Sequence, residues 1–376
     1  MLARGRAWVR FEMVKNASLV KARRLTETDK TTTEYQLPKS VMKWVALGLV
    51  LSSAVVIVIS IFSGVTLSDL AKLGYLTFGL AAAASAAKLP VQVLRFRVVA
   101  RGLAGDPKPN FSGLALVRIA SEFVSLSTPA TSMGVFLRTS WLSGKGVEGG
   151  KALWIGYFEV LMEIYVGAGL GLIAALYALS RGAVALGTTV ALVSVILIAG
   201  YTILFIVPAL KIIKVPHRVF SIASFLVGGP RATALYLRAV VGSLNFSLSA
   251  REILNRKNLP VMVEAIGLTI LEDLMAGTAL WLVLASAGLK IDPFSATLAV
   301  YAAGAIAAVP VTIGGAGIME LTMQAYLISV YTFTSWPSVV LWRIATYQVL
   351  LAITGAVFLL FVRKATKKAS KAQQKP

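Results

Sequence analysis

Apolar residues run through this chain in long blocks parted by short polar connections, and block length decides what each can be. Trp44 to Gly64, Leu73 to Leu94, Trp154 to Leu179, Ala183 to Leu210, Val261 to Leu289 and Pro337 to Phe361 each approach or exceed the roughly 20 apolar residues a bilayer crossing needs. Each predicts a transmembrane helix. Two other stretches break the pattern. Residues 113–142 are moderately apolar but hold Arg118, Glu122, Pro129, Gly134 and Arg138, with a bend expected at Ser127-Thr128-Pro129. Residues 294–331 hold two runs, each short for a crossing, parted by Pro310-Val311-Thr312-Ile313-Gly314-Gly315-Ala316-Gly317. Proline lacks the N–H, and glycine relaxes the backbone, so a helix should break there. Broken backbone is tolerated at membrane depth only where protein or a polar cavity satisfies it. The expected fold is therefore an all-α polytopic membrane protein. It has six full transmembrane helices plus two oppositely oriented re-entrant helical hairpins, over 113–142 and 294–331.

Composition agrees: 57% of residues are hydrophobic, 14% are charged, and mean hydropathy is +0.79. The net charge of +21 raises nucleic acid as a partner, and its placement decides. Thirty of the 37 lysines and arginines fall in the connections 1–43, 95–112, 143–153, 211–259 and 363–376. The intervening connections hold only Lys72, Arg181 and Lys290. Positive residues of short loops mark the cytoplasmic side. The charge follows membrane topology, so no nucleic acid is expected, and both termini are placed in the cytoplasm of a multi-pass cell-membrane protein.

Residues 1–42 read as a basic cytoplasmic tail, either solvated or laying Trp8 to Val14 on an anionic membrane surface. A first membrane repeat covers 43–179. A second covers 180–362, with an amphipathic cytoplasmic connection over 211–259 expected to form short interfacial helices. Residues 363–376 are a second basic cytoplasmic tail. The two hairpins share Pro-x-Thr-x-x-Gly, at Pro129-Ala130-Thr131-Ser132-Met133-Gly134 and at Pro310 to Gly315. Opposite orientation with a shared break is what an inverted repeat leaves, and such breaks point to a transporter's binding site.

The candidate chemistry is ionic. No cysteine is present and His217 is the one histidine, which excludes thiolate zinc, cysteine nucleophiles, histidine metal clusters and a Ser-His-Asp triad. No metal, cofactor or catalytic residue is expected. The sequons at Asn16, Asn110 and Asn245 fall on segments placed in the cytoplasm. Charges within apolar segments are costly and usually pair or face a cavity. Glu159 and Glu163 share a helix face, as do Arg118 and Glu122. Arg138 is the nearest cation in sequence for the two glutamates, and Glu320 can pair with Arg343. These pairs either hold the hairpins alone or also line a route for a charged headgroup. Glu272 and Asp273 are candidates for coupling to a proton or cation, or a hydrogen-bonded structural pair. Helices restarting after Pro129 and Pro310 would present N-terminal amides to an anion such as phosphate, with Thr131 and Thr312 as caps or contacts.

Pro310-x-Thr312-x-Gly314-Gly315-x-Gly317-x-x-Glu320 resembles the signature of the lysylphosphatidylglycerol synthetase transmembrane-region family of flippase-like membrane proteins. Thr128-Pro129…Gly134…Arg138 looks like its upstream motif. Phe158 to Glu163 resembles its Glu-Arg-x-x-Asp helix, and Leu341-Trp342-Arg343…Tyr347 its last-helix arginine and aromatic. The likeness covers about residues 43 to 362. Val135 and Val160 stand where the family often has Glu and Arg, and Glu163 where it has Asp. The resemblance implies a flippase or scramblase moving a phosphate-bearing lipid between leaflets: a phospholipid, a glycolipid or a polyprenyl-phosphate-linked lipid. A second copy of the chain is a possible partner. Alternatives are a lipid-headgroup transferase using Glu159, Glu163, Glu272 or Asp273, and a non-transporting assembly subunit. No soluble aminoacyl-transfer domain follows Arg363 in this sequence.

Overall fold

Helices follow one another without a strand among the described residues, which in this computed structural model are 50, 53–104, 110–128, 133–210, 229–309, 312 and 314–373. Residues 1–42, Pro129, Thr131, Pro310, His217 and the segment 211–228 lie outside them. In chain order the helices are α1 (Ser53–Phe62), α2 (Leu67–Lys72), α3 (Tyr75–Ala86), α4 (Lys88–Leu103), α5 (Phe111–Leu126), α6 (Met133–Ser143) and α7 (Gly149–Ser180). There follow α8 (Val184–Tyr201), α9 (Gly229–Ile253), α10 (Leu259–Ser286), α11 (Pro293–Ala307), α12 (Ile318–Tyr331), α13 (Trp336–Arg343) and α14 (Val349–Gln373). Five stretches are long and apolar enough to cross a membrane: Tyr75–Leu103, Gly149–Ser180, Val184–Leu204, Arg256–Ser286 and Trp336–Ala365. They account for five of the six predicted crossings. Of Trp44 to Gly64, α1 is the helical part described, together with residue 50.

Two boundaries differ from expectation. The second crossing runs to Leu103 instead of Leu94, because Pro90 sits in the first turn of α4, where its missing N–H is harmless. Arg95 is thereby moved from a loop into a buried helix face. The described part of the connection 211–259 carries a long helix, α9, followed by a short 3-10 turn at Arg256–Asn258. In α9, Phe246, Ala250 and Ile253, spaced by four and three, turn to one side and join the core. The Trp154 indole on α7 donates to the Phe246 carbonyl at 2.7 Å and stacks on its ring, with centroids 4.8 Å apart.

Each expected hairpin is a pair of short helices around a break. Helices α5 and α6 pack on each other, as do α11 and α12. The pairing beyond them crosses the chain: α5 lies against α14, and α11 against α7 as well as α10. Asp292 starts α11 by accepting the Phe294 and Ser295 N–H groups, both at 3.0 Å, with Pro293 at the first helical position.

Small residues set the closest approaches. A Cβ at Gly277 on α10 would lie 1.9 Å from the Thr297 hydroxyl oxygen and 2.6 Å from its Cα on α11, so backbone would have to move. Gly277→Ala is expected to lower stability by about 1–3 kcal/mol, measurable as a fall in the thermal midpoint of detergent-solubilised protein. Of the glycines Gly167, Gly169 and Gly171, two serve packing: Gly167 lies against the Tyr301 ring and Gly171 against Ser194 and Ala305.

The core is split into two apolar clusters. One gathers Phe96 to Leu103, Leu114 to Val124, Ala152 to Met162 and Leu351 to Phe361; the other gathers Ala174 to Ala178, Ala279 to Leu284, Ala296 to Ala305 and Val339 to Ala345. Along α7 and α10, and from α3 to α4, the chain passes from one cluster to the other through ionisable residues. A polar layer therefore lies between two apolar ones, midway along the long helices.

Candidate functional site

Arg95 is at the centre of that layer and is fully buried. Its guanidinium meets Glu159 at 3.3 Å and Glu272 at 3.0 Å, pairs with Glu163, and donates to the Thr269 hydroxyl at 3.1 Å. Arg118 pairs with Glu122 at 2.8 Å, Glu159 at 3.3 Å and Glu163 at 3.4 Å. Arg138 pairs with Glu159. Glu159, completely buried, thus faces three guanidinium groups from α4, α5 and α6. Gln92 donates to Glu272 and, at 3.4 Å, to Glu122, closing the ring. A lone central charge costs about 2.5–3.5 kcal/mol on insertion scales, so a mutually neutralising cluster is the arrangement a membrane core permits. Arg138→Ala leaves Glu159 with Arg95 and Arg118, so the expected loss is that of one charged hydrogen bond, about 1.5–3 kcal/mol, read from thermal unfolding.

Spacing along α7 brought Glu159 and Glu163 together as expected, yet their surroundings differ. The Glu163 side chain is 38% exposed and borders a cavity of about 100 Å³. Arg118, Glu122, Ser125, Leu126, Arg138 and Val160 line the rest. That volume holds a few water molecules.

The adjacent carboxylates of α10 also differ in their partners. Glu272 belongs to the Arg95 cluster. Asp273 accepts a hydrogen bond from the Tyr301 hydroxyl on α11, and its other oxygen has no partner among the described residues. Asp273, without an ion pair among the described residues, and ion-paired Glu272 are therefore not interchangeable.

At the first break, Thr128 donates to the Val124 carbonyl at 2.8 Å and so closes its own helix. Gly134 permits close packing: a Cβ there would come within 2.4 Å of the Ser121 carbonyl oxygen. The second break turns on Gly314, Gly315 and Gly317, with φ of 60°, 67° and 87°, a region costly for residues with a Cβ. Glu320 caps α12 from within, accepting the Gly317 N–H at 2.7 Å, and pairs with Arg343 at 2.8 Å. The position expected for a bound anion at this helix end is thus taken by the chain's own carboxylate. The Thr312 hydroxyl is buried with no partner among the described residues.

The last crossing joins the breaks. Arg343 donates to the Gly314 carbonyl at 2.5 Å and lies over the Tyr347 ring, 4.1 Å from its centroid. A π-helical turn, Ile344–Gln348, follows Arg343 and carries Tyr347. The Tyr347 hydroxyl donates to the Leu126 carbonyl at 2.7 Å, at the end of α5. Its ring also fills the space a Gly314 side chain would need. The last crossing therefore touches the Gly314 turn of the second break and the end of α5 before the first. Sequence reasoning missed Arg95, Gln92, Thr269 and Tyr301. The signal for the first two was helical: Lys88, Gln92 and Arg95 share a face.

Comparison with known proteins finds one family model, the lysylphosphatidylglycerol synthase TM region, matching residues 45–355. No curated protein matches the chain. Nor does any solved structure. The match spans both breaks, all five long apolar helices but the last turns of α14, and every residue of the buried charge cluster. The chain belongs to the lysylphosphatidylglycerol synthase transmembrane-region family and is a multi-pass membrane protein.

Proposed function

We propose that the protein moves a phosphate-bearing lipid between leaflets as a flippase or scramblase. The observation that carries this reading is the polar cavity at mid-depth, bounded by Arg118, Arg138, Glu122 and the half-exposed Glu163 beside the first helix break. A headgroup phosphate entering there would take over Arg118 and Arg138 and release Glu163 to water. The exchange needs no net burial of charge. The cavity as it stands is smaller than a headgroup, so passage requires the hairpin arms to part. Cross-chain packing supports a rocking motion: the first arm of each hairpin lies against the last crossing of the other repeat, as an inverted pair would arrange them. In this reading both hairpins are re-entrant and both termini cytoplasmic.

The test is reconstitution in liposomes with labelled phospholipids and polyprenyl-phosphate sugars. Translocation faster than in protein-free vesicles, lost on Arg118→Gln, is the expected result. Rates equal to protein-free vesicles for every lipid end the transport reading. Coupling, where present, falls to Asp273, since Glu272 is engaged by Arg95. Asp273→Asn is expected to make translocation indifferent to a transmembrane pH gradient while leaving the thermal midpoint near wild type. Unchanged gradient dependence in that variant removes Asp273 from the scheme.

A further inference from the structure

A second, larger cavity of about 310 Å³ lies at the surface between α4 and α10, lined by Leu94, Arg97, Val98, Arg101, Glu264 and Leu268. Its position is specific. Arg97 and Arg101 stand in the last two turns of the Tyr75–Leu103 span, and Glu264 lies near the start of the Arg256–Ser286 span, so the cavity is at one membrane boundary. Gly102 closes its end against Val261. Whereas Arg95, Arg118, Arg138 and Arg343 are each paired with a carboxylate, Arg97 and Arg101 have no ion pair among the described residues. Arg97 is instead held over the Phe111 ring, 5.1 Å from its centroid, which orients the guanidinium and leaves its donors open.

We propose that this groove binds the phosphate of an anionic phospholipid from one leaflet, through Arg97 and Arg101. Two arginines four residues apart project from one helix face and present a forked set of donors suited to phosphate oxygens. Below them Leu94, 43% exposed, with Val98 and Leu268, continues the groove as an apolar wall for acyl chains. That wall selects a lipid over free phosphate. The groove also borders the polar layer. Arg95 and Thr269, neighbours in sequence of Leu94 and Leu268, turn inward to the Glu159 cluster. Resting on the transport reading, the site becomes the waiting position from which a headgroup reaches the central cavity when α4 and α10 part. Glu264 opposes the bound phosphate and keeps occupancy reversible.

Binding is measurable without transport. The whole protein in non-ionic detergent is titrated with phosphatidylglycerol, and retained lipid is counted by native mass spectrometry. Arg97→Gln with Arg101→Gln should weaken retention by about tenfold or more. Glu264→Gln should strengthen it. Lys72→Gln with Lys145→Gln, removing the same charge elsewhere, should leave it unchanged. Equal losses in the arginine and lysine pairs overturn the proposal, since general charge then explains binding. It is equally overturned where inorganic phosphate competes as well as the lipid does. Retention that follows the expected order in protein that moves no lipid in vesicles supports the site and ends only the transport reading.

Discussion

Glu159→Gln is expected to be the most damaging single substitution in the charge cluster, lowering stability by about 3–5 kcal/mol. Shape is kept and only the negative charge is lost. The three guanidiniums of Arg95, Arg118 and Arg138, which converge on this buried carboxylate, then repel one another with no counter-charge between them. Glu163→Gln is the informative contrast. Its side chain is 38% exposed, so water already screens it and the loss should be much smaller. Thermal unfolding of both variants in detergent gives the comparison. Equal losses would mean that the half-exposed rim, and not the buried centre, holds the helices together.

Much of this architecture was legible in the chain, for identifiable reasons. Long apolar blocks have few alternatives to membrane helices, and proline with clustered glycine inside such a block has few alternatives to a break. The pairing of Glu320 with Arg343 and of Arg118 with Glu122 followed from sparse charge in apolar surroundings. Arg95 was illegible by the same logic. It stands with Arg97 and Arg101, and three arginines after Pro90 look like a cytoplasmic connection. In a helix, residues two apart point to nearly opposite faces, so Arg95 turns inward while Arg97 turns out. Run length alone does not carry that distinction; periodicity measured from Lys88 and Gln92 does. The hydrogen bond from Tyr301 to Asp273 is a tertiary contact between separate helices, and no local pattern announces it.

The second break illustrates how a site can be anticipated in place and differ in chemistry. A helix restarting inside the membrane does present amides and a positive end. Here Glu320, three residues into α12, folds back to occupy that end, and Arg343 balances the carboxylate. The break is therefore closed upon itself, whereas the first break opens on the cavity at Glu163. The two breaks therefore differ in what fills them. One holds the polar space; the other holds a latch on the last crossing.

Substituting Arg343 tests that latch. Arg343→Ala is expected to cost about 3–5 kcal/mol, because Glu320 stays buried without its cation. Arg343→Lys separates charge from geometry. A lysine still neutralises Glu320, but a single ammonium lacks the planar fork that reaches Glu320 and the Gly314 carbonyl together while stacking on Tyr347. Part of the stability should return, to within about 1.5–3 kcal/mol of wild type. On the proposed transport function, lipid movement should not return with it, because the Gly314 turn is then free of the helix that also binds the Leu126 carbonyl through Tyr347. Thermal midpoint and liposome translocation, measured side by side on the two variants, read the two effects apart. Arg343→Lys protein that moves lipid at the wild-type rate would reduce the latch to a salt bridge. Arg343→Lys protein that is stable and inactive would place the motion at the junction of Gly314, Arg343 and Tyr347.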